Sequence, residues 1–232
     1  MEGAPAPLRE PRQRWRFVVA RDPGAPPLAQ RELAETWEAA IDAAGLPVAW
    51  TEGARPRPRI SFGAPLPLEM PAEGELIDLV LTERWPAWRV REALRGRVPD
   101  GWRLIELTDV WLGGPPLPGR VAAADYRITL GPGPQPAALA KAAAELLTAE
   151  RIDRWRAKGA ESVPYDLRAL LLDVRLAAPG PPPVVVARTR FHPELGTGRP
   201  EEVVAAMGER LGLDLEVTSI VRERLLLLDD VR

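Results

Sequence analysis

No cysteine occurs anywhere in the 232 residues. Disulfides, thiolate zinc sites, iron–sulfur ligation and cysteine nucleophiles are therefore excluded from this chain, and the composition suits a reducing compartment. Histidine is limited to His192, which excludes a multi-histidine metal centre; no metal and no cofactor are expected. Lysine is limited to Lys141 and Lys158, so nearly every cation is a guanidinium. With the abundant alanine, glycine and proline, this matches GC-rich coding. Neither sign of charge is in excess: 31 Lys+Arg stand against 33 Asp+Glu, a formal net charge of -2. No global field draws in nucleic acid or an anionic membrane, and any such contact has to be a local patch. No stretch approaches the roughly 20 apolar residues of a membrane span, and Met1–Arg14 lacks the apolar core of a signal peptide. The expectation is a cytoplasmic protein with no membrane partner.

What is present is enough to fold. Hydrophobic residues make up 46% and charged residues 28% of the chain, which supports one large domain or two small ones. Proline and glycine punctuate it at Pro23–Pro27, Gly113–Gly119, Gly131–Pro136 and Pro179–Pro183. The expected organisation is a disordered tail over 1–13, a first half over 14–112, a Pro/Gly linker over 113–121 and a second half over 122–232. In the first half, Trp15, Phe17 and Val19 alternate as in a strand, and Leu33, Trp37, Ile41 and Ala44 recur at helical spacing. A strand over Leu76–Thr82, a second helix opened by Pro86 and a last strand over Trp102–Trp111 follow. The second half repeats the order: a strand over Ala123–Leu130, a helix from Pro136 to about Ala157, strands over Asp166–Leu176 and Val184–Phe191, a helix from Pro200 to Gly212 and a strand over Leu215–Leu228. The predicted fold is α+β, two tandem ferredoxin-like (βαββαβ) halves, each an antiparallel sheet with its helices on one face.

Two segments carry candidate chemistry. In Arg55-Pro56-Arg57-Pro58-Arg59, residues before proline are driven to extended geometry, and period-two alternation puts Arg55, Arg57 and Arg59 on one side. Guanidinium forks fit phosphate oxygens and stack on bases, so the segment reads as an RNA or phosphate contact. The competing reading is a solvated edge strand that uses proline and charge to prevent pairing. The second segment is Gly196-Thr197-Gly198-Arg199 before a helix, where amides and a guanidinium can hold an anion; the competing reading is an ordinary strand-to-helix loop. It lacks the Lys-Ser/Thr of a nucleotide P-loop. His192 is a candidate additional base, but no nucleophile accompanies it, so no catalytic residues are assigned. Trp85, Trp88, Trp102 and Trp111 are either stacking platforms or core.

Several stretches resemble a known family. Ala43-Ala44-Gly45-Leu46-Pro47-Val48-Ala49-Trp50-Thr51-Glu52-Gly53, continuing through Arg57–Gly63 to Pro65-Leu66-Pro67-Leu68, is similar to an uncharacterised bacterial domain family fused to, or encoded beside, radical-SAM proteins. Asp166-Leu167-Arg168, Gly196–Val203 and Arg222 add weaker likeness. The resemblance implies association with a radical-SAM partner in RNA modification. It implies no established activity. The chain departs from the family after the first strand, where Arg21-Asp22-Pro23-Gly24-Ala25-Pro26-Pro27 replaces a Ser-His-Leu-Asp-like motif. Without cysteine it cannot be the radical-SAM enzyme itself. Three functions are consistent with the sequence: an RNA-binding accessory module, a subunit that docks a radical-SAM protein without touching nucleic acid, and an RNA-processing enzyme.

Overall fold

The computed structural model describes residues 9–158 and 161–231. The chain divides into two compact units, Met1–Arg120 and Val121–Arg232. Residues 1–8 of the expected tail lie outside the described residues. The remainder of that stretch is not a tail: Arg12 N donates to Leu81 O at 2.8 Å, and the first strand already includes Gln13.

The first unit runs β1 (Gln13–Arg21), α1 (Gln30–Ala43), β2 (Ile60–Phe62), β3 (Ala72–Leu81), α2 (Ala87–Leu94) and β4 (Trp102–Val110). β1 pairs antiparallel with β3 on one side and β4 on the other, and β2 pairs antiparallel with β3. The resulting order is β2-β3-β1-β4. One face of β1 carries Trp15, Phe17 and Val19 into a core shared with Ile77, Leu79 and Leu81. Leu33, Trp37 and Ile41 of α1 and Val90 and Leu94 of α2 close over it, and Trp37 meets Trp102 edge-on at 5.9 Å. Both helices thus cover one face of the sheet. The opposite face of β1 is buried as well. Arg14 and Arg16 donate to Asp78, which is 1% exposed, at 2.7–2.9 Å; a buried carboxylate is tolerated when its lone pairs are met in this way. At the start of β4 the turn at Gly101 has φ 75°, and a Cβ there would sit 2.4 Å from Ala25 Cβ, so only glycine fits.

The second unit runs β5 (Val121–Leu130), α3 (Pro136–Thr148), β6 (Asp153–Lys158), β7 (Glu161–Asp166), β8 (Leu171–Ala178), β9 (Val184–His192), β10 (Gly196–Thr197), α4 (Pro200–Leu211) and β11 (Val217–Leu227). The main order is β8-β9-β5-β11, all antiparallel, with β10 returning on the end of β9 and β6–β7 forming a separate hairpin. Leu139, Ala142, Ala143 and Leu146 of α3 and Val203, Ala206 and Met207 of α4 are buried, as are Tyr126, Ile128 and Leu130 of β5. The helix expected to reach Ala157 stops nine residues sooner. At Ala149 the backbone turns extended, and Asp166 Oδ1 accepts from Ile152 N and Arg168 N, both at 2.9 Å, which pins the base of the β6–β7 hairpin. The strand expected from Asp166 is interrupted by a 3-10 turn over Arg168–Leu170 and resumes at Leu171. The coarse architecture is α+β with antiparallel pairing in each unit and four helices among the described residues.

Candidate phosphate-binding sites

The Arg55–Arg59 segment is the tip and returning arm of a hairpin rooted on β3. Ala49 N donates to Val80 O at 2.8 Å, and Val80 N donates to Arg59 O at 3.0 Å. The two arms are closed by Arg59 N to Ala49 O at 2.8 Å and Thr51 N to Arg57 O at 2.8 Å. Thr51 Oγ1 accepts from Arg57 N at 3.0 Å. Between the arms the chain reverses at Gly53, whose φ of 122° is open to glycine. The straight ribbon expected from the Arg-Pro repeat is therefore folded back. Arg55 lies on the bend, while Arg57 and Arg59 keep their period-two register on the returning arm. All three are exposed, and among the described residues none is hydrogen-bonded or ion-paired to a carboxylate.

A groove of about 390 Å³ lies between α1 and this hairpin, with Glu35, Glu38, Asp42, Trp50, Arg57 and Pro58 in its lining. Ala49 is buried, so strand alternation turns Trp50 outward, and the residue is 47% exposed. Glu35 pairs with Arg31 at 2.8 Å. Glu38 and Asp42 are an i,i+4 like-charge pair with no ion-pair partner among the described residues, an arrangement that costs a helix about 0.2–0.5 kcal/mol. The sequence places Trp50 only within the family-like stretch; the signal that marks it is the Val48-Ala49-Trp50 alternation leading directly into the arginine segment. Of the tryptophans that were singled out, Trp102 is core, Trp85 is covered by the Arg89 guanidinium at 3.7 Å, and Trp88 and Trp111 are exposed.

The glycine segment lies in the second unit and is built differently from an anion loop. His192 Nδ1 accepts from Glu194 N at 3.2 Å and Leu195 N at 3.1 Å, so this nitrogen is committed to the β9–β10 turn. Gly196 and Thr197 pair with His192 and Phe191. Gly198 N donates to Arg190 O at 3.0 Å, and Thr189 Oγ1 donates to Gly198 O at 2.8 Å. A Cβ on Gly198 would meet Thr189 Cβ at 2.8 Å and Leu170 O at 3.0 Å, so close packing accounts for this glycine. Arg199 is exposed at the N-cap of α4, and its carbonyl accepts from Glu202 N and Val203 N. Two of the cations around this corner have partners. Buried Arg154 meets Glu209 at 2.8 Å and Glu202 at 3.5 Å, and Arg156 stacks over Tyr165 at 4.0 Å. Burial pushes the Tyr165 hydroxyl up, with the charge of Glu202 adding and those of Arg156 and Arg199 opposing.

Among the described residues no group of three His, Asp or Glu side chains is placed to hold a metal ion, and no helix is long and apolar enough to cross a membrane. Residues 14–221 match the model of a family described as an uncharacterized protein conserved in bacteria. No curated protein matches the sequence. Among solved structures, a chain from the crystal structure of a Cbf5-Nop10-Gar1 complex is similar at a TM-score of 0.42 and 11% identity. That likeness covers 90% of this chain and 49% of the other, so this chain spans about half of its length.

Proposed function

This chain belongs to the DUF2344 family of proteins conserved in bacteria, and we propose that it is an RNA-binding accessory module that works beside a radical-SAM protein in cytoplasmic RNA modification. The observation that carries the reading is the hairpin tip. Three exposed guanidiniums fall within five residues, Arg55 to Arg59, and none is neutralised by a carboxylate among the described residues. Phosphate neutralisation by such cations supplies most sequence-independent affinity for nucleic acid, and the guanidinium fork suits phosphate geometry. The glycine segment offers less. Gly198 N is already bonded within the chain, and the nearby guanidinium of Arg154 is matched by Glu202 and Glu209, which leaves Arg199 as a peripheral contact.

On this reading each unit is a ferredoxin-like βαββαβ half, with β6–β7 inserted in the second. The orders β2-β3-β1-β4 and β8-β9-β5-β11 support it. The radical-SAM clause is supported by the likeness over Ala43–Leu68. A chain without cysteine contributes the RNA contact, and its partner contributes the iron–sulfur chemistry.

Filter binding of single-stranded RNA at low salt tests the central claim. The variant carrying Arg55→Gln, Arg57→Gln and Arg59→Gln should lose at least tenfold in affinity relative to the parent; equal affinities would remove the hairpin from the proposal. Co-elution with a radical-SAM protein encoded beside a member of the family tests the partner clause, and separate elution of the two proteins counts against it.

A further inference from the structure

We infer that the groove between α1 and the hairpin seats one unpaired nucleobase that carries an exocyclic amino group, which makes the RNA single-stranded at this point. The inference rests on the RNA reading above and names its substrate class.

Each wall of the groove has a matching part of a nucleotide. Trp50 offers a half-exposed indole, and aromatic faces of this kind stack bases of any sequence. The volume of about 390 Å³ falls within the roughly 300–1,000 Å³ typical of small-ligand sites. Glu38 and Asp42, one turn apart on α1, supply acceptors only. Carboxylates accept hydrogen bonds from amino groups such as cytosine N4 and repel the carbonyl that uracil presents at the same position. Arg57 both lines the groove and belongs to the arginine hairpin, so a base stacked on Trp50 leaves its phosphates beside Arg57, with Arg55 and Arg59 in the same short segment. A base held in a duplex is stacked on both faces and cannot enter; unpaired bases are the ones that proteins splay out and stack on aromatic side chains. The like-charge pair Glu38 and Asp42 also gains a purpose, because donors on a base edge relieve it. A cationic peptide would suit the acidic wall, but the three guanidiniums of the adjoining hairpin oppose it.

The test is fluorescence anisotropy of labelled oligocytidine and oligouridine dodecamers on the full chain at low salt. The parent should bind oligocytidine several-fold more tightly than oligouridine. Trp50→Ala should weaken oligocytidine binding about 5- to 100-fold, and Trp50→Phe should restore most of it. Glu38→Gln combined with Asp42→Asn should bring the two affinities together. If Trp50→Ala binds like the parent while the triple arginine variant does not, the base seat is overturned and the RNA reading survives. If the parent binds neither oligonucleotide, both readings fall. Trp50-dependent capture of an oligoarginine peptide in place of RNA overturns the base seat and reassigns the groove to a protein.

Discussion

Asp125 shows how single carboxylates organise this arginine-rich chain. Arg188 donates to both of its oxygens at 2.6 and 3.0 Å, and Arg224 donates to Oδ2 at 2.7 Å. Burial alone would push the carboxyl up, but the hydrogen bonds and charges of Arg188 and Arg224 outweigh it and hold the group below the usual carboxylate range. A carboxylate depressed in the folded state stabilises fully above its unfolded pKa of about 3.9, and that stability is lost as pH falls through the lower folded value. Asp125→Asn should cost about 1–2 kcal/mol at neutral pH, after allowance for screening at exposed Arg224. Denaturant melts across pH should find this gap constant from pH 7 to about 5 and shrinking below about 4; a gap unchanged down to pH 2 would dissociate Asp125 from the effect. Arg21 illustrates the opposite device, a buried cation held by carbonyls. It donates to the carbonyls of Pro26, Pro67, Leu68 and Met70, and burial lowers its pKa, with Glu69 and Glu75 opposing.

At the scale of elements, what the sequence made legible is whatever periodicity alone decides. Trp15, Phe17 and Val19 announced β1, and Leu33, Trp37 and Ile41 announced α1, because burial against one core enforces spacings of two and of three to four. Gly212 closes α4 at φ 65°, as a terminal glycine should. Elements set by long-range contacts were hidden. No proline or glycine interrupts the sequence between Thr148 and Gly159 to end α3, but Asp166, fourteen positions beyond Ile152, fixes the extended start of β6 through a hydrogen bond. The burial of Arg14 and Arg16 depends on Asp78, more than sixty residues away, and local patterning shows them only as the polar side of a strand. The candidate site divides in the same way. The Arg-Pro repeat marked the right segment, but its fold into a hairpin depends on Gly53, Thr51 and the edge of β3, and the acidic wall comes from a helix ten or more residues earlier. The role of His192 in capping its turn was equally invisible, since both donors are backbone amides.

For the whole molecule the decisive quantity is charge balance. With a net charge of -2, RNA affinity has to come from cations that no carboxylate offsets. The second unit has several arginines on its strands, but Arg127 meets Glu223 at 2.7 Å, Arg175 meets Asp173 at 3.5 Å, and Arg188 and Arg224 share Asp125. Moving any of these to a phosphate would break an existing pair, so the net gain is small. Arg55, Arg57 and Arg59 give up no such pair. Single-stranded nucleic acid loses affinity with a log–log salt slope of about -0.7 for each phosphate neutralised, so three contacts give about -2. Between 50 and 200 mM salt, binding by the parent should fall about 15-fold, and the triple glutamine variant should show a slope shallower by about 2. A parent slope much steeper than this, retained in the variant, would move the RNA surface off the hairpin and onto other arginines of the chain.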